Sequence, residues 1–280
     1  MKELGERLER VYKLVQWADD PYTQAGKKRF ETYVTLFKGF VEHEWLSKLL
    51  ERKVLRIVDI CGSTGIGGIA LAKVLSEYTT VKLCILDLRR GALDIARRFS
   101  KEMLGSEAET IVHDVRKIHE LGKEWDIGLM TGYSMTHFNP WEAIKIFSGI
   151  AASLSNDGLC FFEEVDRIYH VFLRMGYKRI LPERMDDGSV TISIHKRYDV
   201  ITGSMERVYI DLVTRNFEGL KTYYWSLSEL MALLWIFFKE IDFVATASPY
   251  YGFIIVKEPR RIVTPEMFLE EPQVLKKNER

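Results

Sequence analysis

The sequence predicts an α/β protein, three layers deep, built on a seven-stranded, mostly parallel sheet. Three observations carry that expectation. From about residue 55 onward, apolar runs that suit strands alternate with amphipathic runs that suit helices, the order that builds a parallel sheet covered on both faces. The run Val58-Asp59-Ile60-Cys61 turns through Gly62-Ser63-Thr64-Gly65-Ile66-Gly67-Gly68 into Ile69-Ala70-Leu71-Ala72. The next apolar run, Val81 to Leu86, ends in Asp87, 22 residues beyond Gly65. Strand, glycine turn, helix, strand and acid is how such a sheet forms a nucleoside site.

Before the sheet, Glu3 to Trp17 and Lys27 to Leu50 have helical periodicity, so two amino-terminal helices are expected. The second brings Phe30, Tyr33, Val34, Phe37, Val41 and Trp45 near one face, where they read as core. Asp19-Asp20-Pro21 separates the two, since aspartate caps a helix and proline cannot continue one. The sheet follows as strand 55–60, helix 66–77, strand 81–87, helix 91–103, strands 109–113 and 126–131, helix 140–154 and strand 158–163. Beyond Glu164 the pattern changes. A helix over Tyr169 to Met175 leads to alternating runs, Ser189 to Tyr198 and Met205 to Val213, joined at Gly203, which read as an inserted antiparallel β-hairpin. Ser226 caps an apolar helix to Phe238, and Phe243 to Ala247 and Gly252 to Lys257 return as the last strands. The expected units are a helical cap over 1–50, a core over 51–164 and 226–258, an inserted substrate or dimer region over 165–225, and a charged tail over 259–280.

With 280 residues, 47% of them apolar, the chain can bury a large core as one elaborated domain. Forty basic residues balance forty acidic ones, and no segment concentrates positive charge among aromatics, so nucleic acid is not a favoured partner. Cys61, Cys84 and Cys160 are odd in number, share no metal-type spacing and sit in apolar runs. That suits buried thiols in a reducing compartment, so no metal is expected and the cytoplasm is assigned. No run approaches a membrane span, and Met1 to Arg10 lacks the apolar core of a signal peptide. Scarce asparagine and glutamine beside plentiful lysine, arginine and glutamate is a bias of the thermophilic kind.

Over roughly Leu55 to Pro259 the chain resembles the class I, Rossmann-like S-adenosylmethionine-dependent methyltransferases, by several motifs in one order. Asp59-Ile60-Cys61-Gly62-Ser63-Thr64-Gly65 is similar to their acid-x-Gly-x-Gly-x-Gly loop. The resemblance implies that this backbone and the following helix end meet the methionine moiety of S-adenosylmethionine, whose product is S-adenosylhomocysteine. Asp87, followed by Leu88, falls where the family binds both ribose hydroxyls, and Ala92-Leu93-Asp94-Ile95-Ala96-Arg97 resembles the helix after it. His113-Asp114-Val115 stands where the family recognises the adenine. Asp126-Ile127-Gly128-Leu129-Met130-Thr131-Gly132-Tyr133 resembles the fourth strand and the loop beneath the methyl group, which adds Thr131 and Gly132 to the implied cofactor contacts. Leu154-Ser155-Asn156-Asp157-Gly158 matches the turn before the fifth strand. Tyr22, just after a helix break, is expected to fold back over the cofactor.

One departure stands out. Cys61 and Ser63 replace the family's first and second glycines, and only Gly65 stays in register. Serine meets a positive φ at a cost. The question is whether Ser63 keeps an ordinary φ while Gly62 and Gly65 take the special conformations. Two rival functions also read from the sequence. Gly62-Ser63-Thr64-Gly65-Ile66-Gly67 is similar to the Gly-x-x-x-Gly-x-Gly loop of NAD(P)-dependent short-chain reductases, but one residue short. Their Tyr-x-x-x-Lys pair is matched only at Tyr78 and Lys82, before the second strand. Arg89 and Arg90 could hold a 2′-phosphate, but with Asp87 retained they read more simply as a solvated helix entrance. The other rival is a non-catalytic nucleoside-binding or scaffold protein that dimerises through the hairpin.

Methyl transfer asks mainly for proximity in a desolvated site, which supplies about 7 to 11 kcal/mol. A base is needed only where the acceptor must lose a proton. The candidates are His137, Tyr133 beside it, and His195 on the insert. Plainer readings stand beside them: His195 as a solvent-facing strand residue, and His137 as the cap of the helix entered at Asn139-Pro140. On the substrate side, Arg215, Tyr223, Tyr224 and Trp225 resemble the Arg-x-Phe and Tyr/Trp run that precedes the last helix of small-molecule methyltransferases. Their aromatic faces would line an acceptor pocket or steady the sulfonium, or else cover the sheet edge. A small-molecule acceptor is therefore expected, with the insert as the surface through which a homodimer could form.

Overall fold

A computed structural model describes residues 2–15, 17–186 and 188–278. Three helices precede the sheet: α1 (Lys2–Val15), α2 (Gln24–Phe40) and α3 (Glu44–Leu49). The expected second helix is thus two. It breaks at 41–43, where the His43 imidazole accepts from the Trp45 N–H at 3.3 Å and starts a new helix. Next come β1 (Val54–Ile60), α4 (Ile66–Leu75), β2 (Thr80–Asp87), α5 (Arg90–Leu104), β3 (Glu109–Val112), β4 (Trp125–Met130), α6 (Pro140–Ser153) and β5 (Leu154–Val165). A π-helical turn, Ile168–Arg174, replaces the expected helix after β5. It leads to β6 (Ile180–Asp186), β7 (Ser189–Asp199), β8 (Ser204–Asp211) and β9 (Phe217–Thr222). The expected hairpin is therefore the centre of a separate four-stranded antiparallel sheet, ordered β6-β7-β8-β9. The chain returns through α7 (Leu227–Phe237), capped by Ser226 as expected, to β10 (Phe238–Ser248) and β11 (Tyr251–Pro259).

The main sheet has seven strands in the order β10-β11-β5-β4-β1-β2-β3. β1 to β5 are parallel, and β11 runs antiparallel to both β5 and β10. Each central strand is apolar on both faces, because neighbouring side chains point to opposite sides. Ile57, Ile85, Leu129, Phe161 and Phe253 pack on one side against Phe30, Phe37 and Phe40 of α2 and Leu93 of α5. Val58, Leu86, Met130, Phe162 and Ile254 pack on the other against Ile146 and Phe147 of α6 and Leu230 of α7. The α/β, three-layer expectation holds. α1 does not join either layer but packs on β8 and β9 of the small sheet. Among the described residues, no helix is long and apolar enough to cross a membrane.

Candidate functional site

The carboxyl ends of β1, β2 and β4 open into a cleft of about 1280 Å³ that runs on to α1 and the β7–β8 turn. Its wall begins at the glycine loop, where Cys61 (φ 57°), Ser63 (φ 53°) and Gly65 (φ 80°) are left-handed. Ser63 thus carries the strained conformation and Gly62 does not. Position 62 needs glycine for another reason: a Cβ there would lie 2.5 Å from Asp59 Oδ2 and 2.8 Å from Ile85. The same oxygen accepts from the Gly68 N–H at 2.9 Å. Asp59 is fully buried beneath the loop, Oδ1 has no partner, and burial pushes its carboxyl up to about 7 against the pull of that hydrogen bond. Expected as a cofactor contact, Asp59 instead supports the loop from below, and Gly65 turns the chain without lining the cleft.

Asp87 faces the cleft from the end of β2, with Oδ2 accepting from the Ser63 N–H at 2.9 Å and Oδ1 from the Arg89 N–H at 2.8 Å. Arg89 is not the solvated residue the sequence predicts, though Arg90 is exposed; Arg89 is only 5% exposed. Its guanidinium lies 4.2 Å from the centre of the Tyr12 ring, donates to Asp19 Oδ2 at 3.0 Å and also to Ser63 Oγ. The Thr64 hydroxyl donates to the Asp19 carbonyl. The segment between α1 and α2 is therefore fastened over the glycine loop by Tyr12 and Asp19. Tyr22, expected in that place, lies outside the cleft: its ring meets Phe99 edge-on and its hydroxyl donates to Glu102 at 2.9 Å. Arg29 of α2 also reaches the cleft, beside the rings of Trp17 and Tyr33.

Leu88, His113, Asp114 and Val115 line the next stretch. Asp114 caps a short turn by accepting from the Arg116 N–H at 3.0 Å, and pairs with Arg116 Nη2 at 2.6 Å. Burial raises its carboxyl, but the hydrogen bonds and charge of Arg116 win and hold it below the usual range. Asp114 is thus committed to Arg116, and in the backbone beside it the His113 N–H already donates to the Asp87 carbonyl at 3.2 Å and the Asp114 carbonyl accepts from the Lys117 N–H at 2.9 Å.

At the end of β4, Thr131, Gly132 and the one-turn helix Ser134–His137 complete the wall. Gly132 N–H donates to Glu163 at 2.6 Å, and Tyr33 donates to the same oxygen at 2.5 Å. Tyr133 is left-handed (φ 58°), which turns its ring out of the cleft toward Tyr251 and beneath Arg167. Burial pushes its phenol up to about 12, so it is a poor base as well as a misplaced one. His137 does line the cleft. Its Nε2 sits 3.0 Å from Tyr12 Oη and its buried Nδ1 has no partner. Burial, reinforced by the charges of Arg167 and Arg89, lowers it to about 4, so the ring is neutral near pH 7. His137 does not cap α6; Asn139 does, in a capping box with Glu142.

Of the expected substrate residues only Tyr223 lines the cleft, with its hydroxyl donating to Glu229 at 2.7 Å. Trp225 is 1% exposed and its Nε1 donates to the carbonyls of Met135 and Phe138, both at 3.0 Å. It pins the 134–137 turn instead of facing a ligand. Arg215 sits on the exposed β8–β9 turn, away from the cleft. His195 lies away from it too, with Nδ1 2.5 Å from the Tyr177 hydroxyl. Sequence reasoning missed Tyr12, Asp19 and Arg89, and also Trp141 and Tyr198 near the β7–β8 turn. Only Asp19 had a signal, as the acid of a helix break.

No protein-family model matches the chain, and no curated protein matches it. Among solved structures, an S-adenosylmethionine-dependent methyltransferase from Clostridium acetobutylicum is 13% identical, with a TM-score of 0.60 over 79% of this chain and 89% of its own. The PH0226 protein from Pyrococcus horikoshii is 16% identical, with a TM-score of 0.60 over 89% of this chain and 98% of its own. The sugar N-methyltransferase KedS8 from a Streptoalloteichus species is 13% identical, with a TM-score of 0.54 over 82% of this chain and 88% of its own. Sheet order, glycine loop and these likenesses together show that the chain has the fold of the class I, Rossmann-like S-adenosylmethionine-dependent methyltransferases.

Proposed function

We propose that this protein is an S-adenosylmethionine-dependent methyltransferase with a small-molecule acceptor. The observation that carries the reading is one continuous cleft joining the glycine loop, Asp87, the 113–115 backbone and His137. Its volume, about 1280 Å³, exceeds the roughly 300 to 1,000 Å³ of a single-ligand pocket. That supports a cofactor and an acceptor side by side. The residues fit the cofactor. Each Asp87 oxygen accepts one N–H and retains a lone pair for a ribose hydroxyl. Gly65 gives α4 no side-chain cap, and Ile66 and Gly67 of its first turn line the cleft, which suits a carboxylate. Thr131 and Gly132 form the floor near His137, and the 113–115 backbone would read the adenine. When bound, the cofactor supplies a methyl group made electrophilic by its sulfonium.

The protein's part is to orient the acceptor and exclude water. Trp225 fixes the turn that presents His137, and Tyr12 fixes the imidazole. The balanced charge of the chain and a sugar-modifying neighbour support a small metabolite over nucleic acid. We assign the protein to the cytoplasm, the insert to acceptor binding and a homodimer contact, and, of the amino-terminal region, α1 and its link to α2 to the cover of the cofactor, α2 and α3 being part of the core. Calorimetry tests the reading: S-adenosylmethionine and S-adenosylhomocysteine should both bind, and binding of NAD(P) without either of them would overturn it.

A further inference from the structure

Beyond the floor at Thr131 and Gly132, the cleft is walled by α1, the first turn of α6 and the β7–β8 turn. Many polar side chains line this end, yet most of them are committed within the protein. Arg7 pairs with Glu218 at 3.3 Å, and its Nε donates to the Gly219 carbonyl at 2.9 Å. Arg197 donates to Glu206 at 2.6 Å. The Thr202 hydroxyl donates to Ser204 Oγ at 3.0 Å, and the Tyr223 hydroxyl is already spent on Glu229. Trp141 Nε1 donates to the Ile201 carbonyl at 3.0 Å. A hydroxyl-rich ligand such as a sugar would find few partners here, and each hydroxyl buried without one weakens binding.

The apolar groups are the uncommitted ones. Leu4 is 37% exposed, Tyr198 52% and Val200 78%, and all three line the cleft. Apolar side chains left open to water along one cleft mark a surface that a ligand covers. The rings point the same way. Among the tyrosines and tryptophans that line the cleft, Tyr12 is engaged by Arg89, Trp17 by Arg29 and Tyr223 by Trp225. Among the described residues, Trp141 and Tyr198 meet no other ring and no cation, and neither joins the cores packed on the two faces of the main sheet. Few polar groups remain. Lys221 and the Tyr198 hydroxyl belong to exposed side chains. Nearer His137, Asn139 Oδ1 accepts from the Trp141 N–H at 2.9 Å and the Glu142 N–H at 3.2 Å. That fixes the amide and leaves its NH2 group without a partner, on a residue that lines the cleft.

We propose that the methyl acceptor is an aromatic compound, whose ring system packs on Trp141 and Tyr198 and whose polar edge accepts a hydrogen bond from the Asn139 NH2 group. The two rings then select the acceptor by its flat body, and Asn139 sets which edge points along the cleft toward Thr131 and Gly132. Aromatic pairs gain beyond the apolar area they bury, so a flat ring is favoured over a saturated one of similar size. Such an acceptor also covers Leu4 and Val200, which removes apolar surface from water. This assignment rests on the methyltransferase reading.

The test uses the full chain with S-adenosylhomocysteine, and titrates 2-naphthol, its saturated counterpart decahydro-2-naphthol, naphthalene, and the sugars xylose and glucosamine by calorimetry. 2-Naphthol should bind roughly tenfold or more tighter than either sugar, and about threefold or more tighter than decahydro-2-naphthol. Tyr198→Ala should lose about threefold or more of the affinity for 2-naphthol, whereas Tyr198→Phe should stay within about twofold of wild type. Affinity for S-adenosylhomocysteine should stay within about twofold in both. Asn139→Ser keeps an acceptor to cap α6 but removes the NH2 group, so the preference for 2-naphthol over naphthalene should shrink by about threefold or more. A sugar or decahydro-2-naphthol bound as tightly as 2-naphthol, no binding of 2-naphthol, or undiminished binding of it by Tyr198→Ala overturns the assignment. An unchanged preference in Asn139→Ser overturns the role of Asn139. Failure of the wild type to bind S-adenosylhomocysteine would instead sink the methyltransferase reading, and the naphthol series can be read without it.

Discussion

Arg89 Nη1 stands 3.0 Å from Asp19 Oδ2, an ion pair that ties the link between α1 and α2 to the end of β2. The Arg89 side chain is 6% exposed and that of Asp19 19%, so water screens the pair weakly. The same guanidinium is 3.6 Å from Asp87 Oδ1 and packed on Tyr12. One arginine thus joins the amino-terminal cap, the glycine loop and the acid expected to hold the ribose. Its acid at 87 remains if Asp19 is lost, so the cation would be weakened in its setting and not abandoned.

Asp19→Asn should therefore cost about 2 kcal/mol of folding stability, the range for a hydrogen bond to a charged group. Urea unfolding measures it. The variant should also lose affinity for S-adenosylhomocysteine, since the side-chain tie of residue 19 to Ser63 and Arg89 is weakened and only the Thr64 hydroxyl still holds its carbonyl. A variant as stable and as tight-binding as the wild type would show that the pair fastens nothing.

Asp87→Ala removes two things at once. The carboxylate accepts from Ser63 and Arg89 within the protein, and it is the acceptor proposed for the ribose. Cofactor affinity should fall by about 2 to 4 kcal/mol if both hydroxyl bonds are lost. Folding stability should fall as well, because two N–H groups lose their acceptor and the buried Arg89 guanidinium keeps only Asp19 as a carboxylate partner. Calorimetry and unfolding curves separate the two effects; unchanged affinity in a folded variant would remove Asp87 from the ribose site.

These relationships explain what the sequence could and could not convey. The sheet was readable because Ile57 with Val58 and Phe161 with Phe162 are apolar pairs that only a strand buried on both faces needs. The outer strands of the insert were not. β6 carries Pro182 and β9 carries Gly219, residues that read as breaks but are tolerated on sheet edges. Asp87 and the glycines were readable as local motifs. Tyr12, Asp19 and Arg89 meet only through the fold, so spacing along the chain held no trace of their contact. Trp225 and Arg215 misled because an aromatic and polar cluster looks the same whether it faces a ligand, the core or solvent.

Glu164 gives a pH dependence whose sign is set by its environment. Burial raises its carboxyl from 4.5 to about 7, with Arg167 pulling the other way. A group raised in the folded state favours folding most below its unfolded value, and that contribution is lost as pH climbs from about 4.5 through 7. The loss is on the order of 3 kcal/mol. Glu164→Gln keeps an acceptor for Met135 but does not titrate. Its stability relative to wild type should therefore improve between pH 5 and pH 8, measured by urea unfolding. A constant difference across that interval would mean that Glu164 is not raised.

Gly67 and Thr131 meet where α4 approaches the end of β4. A Cβ at position 67 would fall 2.3 Å from Thr131 Oγ1 and 2.9 Å from its Cγ2. Gly67→Ala should cost about 1 to 3 kcal/mol through overpacking. Thr131→Ala removes both clashing atoms, so the double variant should recover part of that loss, with a coupling energy of about 0.5 kcal/mol or more. Strict additivity in a double-mutant cycle would contradict the contact.

Ser63 tests the loop path itself. Its φ of 53° lies where an L side chain costs roughly 1 to 2 kcal/mol. Ser63→Gly and Ser63→Ala both lose the hydroxyl that meets Asp19 and Arg89, so their difference reports the backbone alone. Alanine keeps the strained Cβ and glycine does not, while glycine gives up some chain entropy on folding. Ser63→Gly should therefore be more stable than Ser63→Ala by roughly 0.5 to 1 kcal/mol, the reverse of the order in a helix interior. Denaturant unfolding of the pair decides it. Should alanine match or exceed glycine, Ser63 does not hold the left-handed conformation that lets Cys61 and Ser63 stand where the related loops have glycine.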